Sequence, residues 1–317
     1  MAVGIWISLF FGSILLFLYL ATFPILWPFL IAYVTYMLLD KAPENGGRRF
    51  ESTRHWAIWK YFAAYFPVKL IKEQDLDPKK NYILGYHPHG IISMGAFANF
   101  ATEATDFSKV FPGIKLSLLT LVQNFRFPFL RDLTLALGVC GVSRKSCEHI
   151  LSSGPGHSIV IVIGGASESL SARPGIVDLI LRKRLGFIRL AIKQQASLVP
   201  VFSFGENDLY DQVDNTEGTK IHSIQKKMQA IFGFTMPMFH ARGIFNYDVG
   251  IIPFRHEIVT VVGKPIDVPK LEKDQTEPTQ EQLLAVQAEY IQELQDIYNK
   301  YKDTYAKDRK RELRIVD

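Results

Sequence analysis

Two imidazoles flank a proline at His87-Pro88-His89-Gly90, directly after the apolar run Tyr82–Tyr86. An imidazole titrates near neutrality, so at cellular pH it can take a proton from a hydroxyl and return it. Pro88 restricts the backbone around the pair, and Gly90 has conformations closed to other residues. Two more polar clusters end apolar runs, Gly164-Gly165-Ala166-Ser167-Glu168 and Gly205-Glu206-Asn207-Asp208. Glycine lets a substrate approach backbone N–H groups, the donors that stabilise an oxyanion; those near Gly90, Gly164 and Gly165 are the candidates. Glu168 is the candidate to accept a hydrogen bond from the far nitrogen of the histidine and fix its tautomer. Its structural alternative is an acid favoured at a helix N-terminus. A metal is the rival reading of His-x-His, but no HExxH and no third histidine at ligand spacing supports it, so no metal is expected. No G-x-S-x-G elbow and no phosphate loop occurs, and Gly154-Pro155-Gly156 precedes a strand instead of following one.

These clusters need a scaffold that brings strand ends together. The clearest strand-like runs are Tyr82–Tyr86, Ser158–Ile163, Ser197–Phe204 and Glu257–Val262, mostly apolar on both faces, as in a covered parallel sheet. Pro200 inside the third argues for an edge position or a later strand start. Helix-like segments fall between them, at Arg144–Leu151, Leu185–Gln194 and Thr219–Phe232. Glu281 to about Arg311 reads as one long amphipathic helix with Leu284, Tyr290, Ile291, Leu294, Ile297 and Tyr298 on its apolar stripe. The alternation predicts one α/β domain over 41–317, a largely parallel sheet covered by helices. In such sheets ligands gather outside the carboxyl ends of the strands, where all three clusters lie.

The N-terminus is different. From Val3 to Leu39 there is no Asp, Glu, Lys, Arg or His, a stretch nearly twice the ~20 residues that cross a bilayer as a helix. It lacks the basic start and short core of a signal peptide. Pro24 and Pro28 interrupt it, with Trp27 between, so residues 1–40 are expected to form a membrane-embedded hairpin of two segments, near 3–23 and 29–39. Lys41, Arg48, Arg49, Arg54 and Lys60 follow, and that excess of cations predicts a cytosolic location for the bulk of the chain. The aromatic-rich segment 56–71 fits either an interfacial belt or core packing. Cys140 and Cys147 are too few for a disulfide scaffold and read as reduced thiols. The net charge of +5 is dispersed, which argues against nucleic acid and suits anionic lipids or a phosphate-bearing co-substrate.

Taken together, Tyr65-Phe66-Pro67, His87-Pro88-His89-Gly90, GGASESL (Gly164 to Leu170) and LGFIRLAIKQQASLVPVFSFGEND (Leu185 to Asp208) resemble the second-type diacylglycerol acyltransferases and the related monoacylglycerol and wax-forming enzymes. The resemblance implies a glycerolipid-acyltransferase-like fold and transfer of an acyl group from acyl-coenzyme A, a co-substrate, to diacylglycerol or a related neutral-lipid acceptor, with no other cofactor. It implies an endoplasmic-reticulum membrane protein that also reaches lipid droplets, its catalytic part facing the cytosol. Phe17, Leu18 and Leu20 look like the family's neutral-lipid-binding segment, and the histidine motif is its presumed centre. More distant glycerolipid acyltransferases pair their histidine with an aspartate, four residues lying between the two. Met94 holds that place after His89 and Ile92 after His87, so Glu168 is the substitute. His89 is the expected general base and His87 its neighbour, with the roles exchangeable. Phe66, Pro67, Gly205, Glu206 and Asn207 join the substrate-binding candidates. Candidates for the coenzyme A phosphates are Arg144, Lys145, Arg173 and Arg182-Lys183-Arg184. A diacylglycerol acceptor leads, monoacylglycerol or a long-chain alcohol follows, and a tethered lipid-transfer module is the non-enzyme alternative. A homo-oligomer is left open.

Overall fold

The apolar runs pair as strands, and their neighbours in space are the ones the chemistry needs. The computed structural model describes residues 1–212, 239–243, 246, 250–272 and 274–316; the helix expected at Thr219–Phe232 lies outside them. Among the described residues the strands are β1 (Lys69–Lys72), β2 (Tyr82–His87), β3 (Lys115–Thr120), β4 (Cys140–Gly141), β5 (His157–Val162), β6 (Asp178–Ile180), β7 (Ser197–Phe204), β8 (Asp211–Gln212), β9 (Phe239–His240), β10 (Val259–Val262) and β11 (Arg314–Val316). Seven of them form one sheet in the order β1-β10-β7-β2-β5-β3-β4. The five from β7 to β4 are parallel, and β10 meets β7 antiparallel, so β10 and β1 run against the rest. The protein is thus mixed α/β with a mostly parallel sheet.

Every residue of β2 and of β7 is buried, which is why both read as continuous apolar runs. Pro200 is not at an edge. Strand β7 pairs with β2 on one side and β10 on the other. The proline is tolerated because the ladder to β10 changes step there. Gly263 donates to the Pro200 carbonyl at 2.9 Å, and the next pairing, Leu198 with Ile266, is shifted by one residue, a bulge that leaves the missing N–H unneeded.

Alternate side chains feed two cores on opposite faces of the sheet. Leu84, Tyr86, Val199 and Val201 pack with Trp59, Phe62, Phe97 and Phe100 on one face. Ile83, Leu198 and Phe202 pack with Ile188, Leu283, Leu294 and Tyr298 on the other. The second face is closed by the helix Gln280–Tyr305, which starts at a capping box between Thr279 and Gln282 and stops short of the expected Arg311. Its stripe includes Leu283 and Val286; Leu284, expected on it, is 48% exposed.

The N-terminal segment forms helices α1 (Ala2–Ala21) and α2 (Trp27–Leu39), separated by a short turn at Pro24–Leu26. At ~1.5 Å per residue their 20 and 13 residues give about 30 Å and 20 Å. The beginning of α1 belongs to the first core: Val3 is buried and Trp6 stacks on Phe97 at 4.0 Å. Farther on, Phe11, Leu15, Leu18, Ile31 and Leu38 are exposed apolar surface, which associates the chain with a membrane. Two polar ties fasten the helices to the domain, Tyr33 to Asp132 and Asp40 to Arg48 and Arg131. One of the cations counted at this boundary is a core residue. Arg54 is fully buried, 3.1 Å from Glu103, and donates to the carbonyls of Ala101 and Leu137. The aromatic segment divides between the two readings: Trp59, Phe62 and Phe66 are buried, while Trp56 and Tyr61 are exposed.

Candidate active site

Strands β7, β2 and β5 are adjacent, so the segments leaving their carboxyl ends meet at one rim. The turn after β2 carries both histidines, and the segments after its two neighbours each bring a buried glutamate to it. Oε2 of Glu168 accepts the backbone N–H of His89 at 2.9 Å, and its Oε1 accepts the N–H of Ile180 at 2.8 Å. Oε2 of Glu206 accepts the hydroxyl of Tyr86 at 2.5 Å and the N–H of Gly95 at 2.9 Å. Both carboxyls are nearly inaccessible, 2% and 1% exposed, and burial pushes each up to about 7 against the pull of its N–H donors. The turn is therefore held at His89 from one side and at Gly95 from the other.

The glycines are where these clamps leave no room. A Cβ on Gly164 would collide with the Glu168 carboxyl folded back over it. Gly90, at φ +60°, has Glu206 Cγ 2.7 Å from where a Cβ would stand. Gly165 and Gly205 also have positive φ.

His87 and His89 differ in surroundings. His87 is 0% exposed, and its Nε2 lies 3.0 Å from the Tyr290 hydroxyl. That hydroxyl donates to the Gly85 carbonyl at 3.1 Å, so the hydrogen between Tyr290 and the ring comes from Nε2. Nδ1 keeps the lone pair, buried and without a partner. Burial lowers the ring to about 3, so it stays neutral. His89 is half-buried. Its Nδ1–H donates to the Gly90 carbonyl at 3.0 Å, which leaves the lone pair on Nε2. Burial lowers its pKa, and the Gly90 carbonyl offsets part of that.

Glu168 thus meets His89 at its backbone and not at its ring, and the tautomer is fixed by the carbonyl of Gly90. The acid holds the turn because a short loop puts His89 N–H, not the imidazole, within its reach. Phe66 lies in the first core against Phe62 and Tyr65, and Pro67 is exposed on the turn into β1. Asn207 donates to the Ile176 carbonyl at 2.8 Å, and its Oδ1 is buried without a partner. Arg173 bridges to Ile176 in the same turn. On the second half of α1, Phe17 faces Phe129 at 6.4 Å, Leu18 is exposed and Leu20 half-buried. Among the phosphate candidates, Arg144 is held by Glu148 at 2.7 Å, Lys145 stands 3.9 Å from Glu44, and Arg184 reaches the Gly164 carbonyl at 3.3 Å.

Sequence reasoning missed Tyr86, Gly95 and Tyr290. Gly85 was the available signal: a glycine inside a β-rich run marks a close approach, and here a Cβ would strike the Tyr290 hydroxyl. Among the described residues no three His, Cys, Asp or Glu side chains are gathered as a metal site.

Comparison with known proteins bears on what this rim does. The model of the diacylglycerol acyltransferase family matches residues 17–316. Diacylglycerol O-acyltransferase 2B of Umbelopsis ramanniana is 64% identical over 315 residues, covering 99% of this chain and 90% of the relative. Diacylglycerol O-acyltransferase 2 of Dictyostelium discoideum is 50% identical over 288 residues, 90% of this chain and 86% of the relative. The 2-acylglycerol O-acyltransferase 1 of Bos taurus is 47% identical, over 88% of this chain and 83% of the relative.

Proposed function

The chain belongs to the diacylglycerol acyltransferase family, and from that premise we propose how its strand-end turn performs the transfer. The protein is an acyl-CoA-dependent O-acyltransferase that esterifies diacylglycerol to triacylglycerol. In our reading His89 is the general base. Its Nε2 lone pair takes the acceptor's hydroxyl proton as that oxygen attacks the thioester carbonyl. The new C–O bond forms, the C–S bond breaks, and the proton passes from Nε2 to the departing thiolate. A free thiol titrates near ~8.5, so the thiolate leaves without a strong acid. Backbone N–H groups around Gly90 and Gly165 are the proposed oxyanion donors. Glu168 positions His89 through the backbone, Glu206 holds the far end of the same turn, and His87 is a packed neighbour. The observation that carries this is the fixed tautomer: with Nδ1–H given to Gly90, His89 offers a lone pair on a half-buried edge. A fold of the glycerolipid-acyltransferase type is supported by the histidine turn at the end of a central parallel strand.

Residues 1–40 are read as the membrane-embedded hairpin and 41–317 as the catalytic part, with the first turns of α1 packed on it. With the buried Arg54 set aside, Lys41, Arg48, Arg49 and Lys60 support a cytosolic face at the endoplasmic reticulum, and the exposed apolar helices suit lipid-droplet surfaces. Phe17, Leu18 and Leu20 are the proposed neutral-lipid contacts. The test is purified protein with labelled oleoyl-CoA and a panel of diacylglycerol, monoacylglycerol and a long-chain alcohol. Triacylglycerol formed by wild type and lost in His89→Ala supports the reading. No ester from any acceptor, or unchanged turnover in His89→Ala, refutes it.

A further inference from the structure

A cavity of about 360 Å³ opens at the carboxyl end of β7, on the face of the sheet closed by the helix Gln280–Tyr305. The start of α1 packs on the opposite face. Pro88, adjacent to His89, forms part of its wall; Phe204, Tyr298 and Tyr305 supply aromatic surface. Its rim is the segment Lys307–Arg311, where the chain leaves that helix. We propose that this cavity binds the phosphate-bearing nucleotide end of acyl-CoA, with Lys307 and Lys310 meeting its phosphates. The inference rests on the acyl-CoA-dependent reading above.

Three features converge here. The thioester must reach His89, and the cavity ends at the next residue. An adenine ring needs an apolar, flat surface; Tyr305, half-buried, is the aromatic residue that can present one, backed by Phe204 and Tyr298, each only 3% exposed. Phosphates need cations not already neutralised. Of the rim cations, Arg309 is held by Asp303 and Glu312, and Arg311 by Asp178. Lys307 and Lys310 are exposed and form no ion pair among the described residues. Asp208, Asp211 and Asp308 also line the cavity; Asp208 is engaged by the Gly175 N–H at 2.7 Å. The rim is not a loose tail. The Lys310 N–H donates to the Gly175 carbonyl at 2.8 Å, and β11 pairs in parallel with β6 just beyond. The backbone of Lys310 is therefore held in place, and both lysines are point charges suited to phosphate. The arrangement separates the substrates: the water-soluble donor comes from this face, the lipid from the face of α1, and they meet at the rim of the sheet.

The experiment compares two donors in full-length, detergent-purified protein, oleoyl-CoA and oleoyl-pantetheine, the second lacking nucleotide and phosphates. The Lys307→Gln/Lys310→Gln double variant is expected to raise KM for oleoyl-CoA about tenfold, with kcat and KM for diacylglycerol unchanged. Its kcat/KM for oleoyl-pantetheine should equal wild type. The salt dependence of KM for oleoyl-CoA should also flatten. Unchanged kinetics with both donors overturns the proposal. So does an equal loss with both, the result expected if the lysines serve a lipid headgroup or the fold. Absence of ester formation by wild type with either donor would instead refute the acyltransferase reading.

Discussion

The end of β2 and the turn that leaves it carry the same side chain under opposite conditions. At the strand end His87 is inside the protein, bonded to Tyr290 and held neutral to about 3. In the turn His89 is half-buried, with Nδ1–H occupied and Nε2 free to act. One intervening proline separates a residue that builds the rim from one that works on it. Motif membership does not assign a role. Which nitrogen keeps the lone pair, and whether a substrate can reach it, does.

The sharpest way to break this comparison is to remove each ring in turn. His89→Ala should lower kcat by about 10³-fold, the worth of a positioned base, with little change in thermal unfolding. His87→Ala should instead destabilise the fold by about 2–3 kcal/mol, since it leaves a buried space and strips a partner from Tyr290. Turnover of labelled oleoyl-CoA and denaturant unfolding of the same preparations check both. A His87 variant that unfolds like wild type yet has lost all turnover would reverse the assignment.

The two buried glutamates give a second, smaller contrast. Glu168 uses both oxygens on backbone N–H groups, so in Glu168→Gln the amide must set a donor against a donor. The His89 backbone should shift, and kcat should fall about ten- to a hundredfold at unchanged KM for oleoyl-CoA. Glu206 uses only one oxygen, and its Oε1 has no partner. Glu206→Gln can keep the bonds to Tyr86 and Gly95, so kcat should stay within about threefold of wild type.

How much of this was legible in the sequence follows from which interactions are local. The three polar clusters could be read because each directly follows an apolar run, and continuous burial of β2 and β7 makes such runs conspicuous. Their adjacency at one rim is a property of strand order, which no single run encodes. Local rules send Pro200 to an edge, whereas the bulge that accommodates it inside the sheet is made by Gly263 to Ile266, elsewhere in the chain. Strand β3 is hard to read from sequence because Lys115 and Ser117 interrupt its apolar pattern. Leu284 fits the apolar stripe by sequence but faces outward, because the neighbouring Leu283 and Val286 blur the phase. The ring contact expected of Glu168 differs from the backbone contact it makes for a similar reason. Spacing shows that an acid reaches the turn, but whether it meets ring or backbone depends on a few ångströms of loop.

The pH dependence sharpens the histidine contrast further. Burial lowers His89 below the ordinary 6.5, and the base works only when neutral. Activity should fall in two steps as pH is lowered, a shallow one near 7 where Glu168 gains its proton and a steeper one below 6.5 where the His89 ring does. His87→Asn should leave that limb where it is, since His87 is already neutral down to about 3. A limb that moves in His87→Asn would mean that the strand-end ring sets the active protonation state. Profiles of kcat/KM from pH 5 to 8 on both proteins decide it.

A last effect concerns stability alone. Glu206 has a folded pKa of about 7 against an ordinary 4.5 because burial disfavours its anion. Between those values the folded chain keeps a proton that the unfolded chain has released. Stability therefore falls as pH rises through that window, by roughly 3 kcal/mol per such carboxyl. Glu168 titrates in the same window for the same reason. Glu206→Gln should accordingly remove about half of the loss between pH 5 and pH 8 and leave the rest to Glu168. Denaturant unfolding at the two pH values reads this directly. An unchanged difference in the variant would mean that Glu206 stays ionised in the fold, and its unpartnered Oε1 would then require a cation or water beside it.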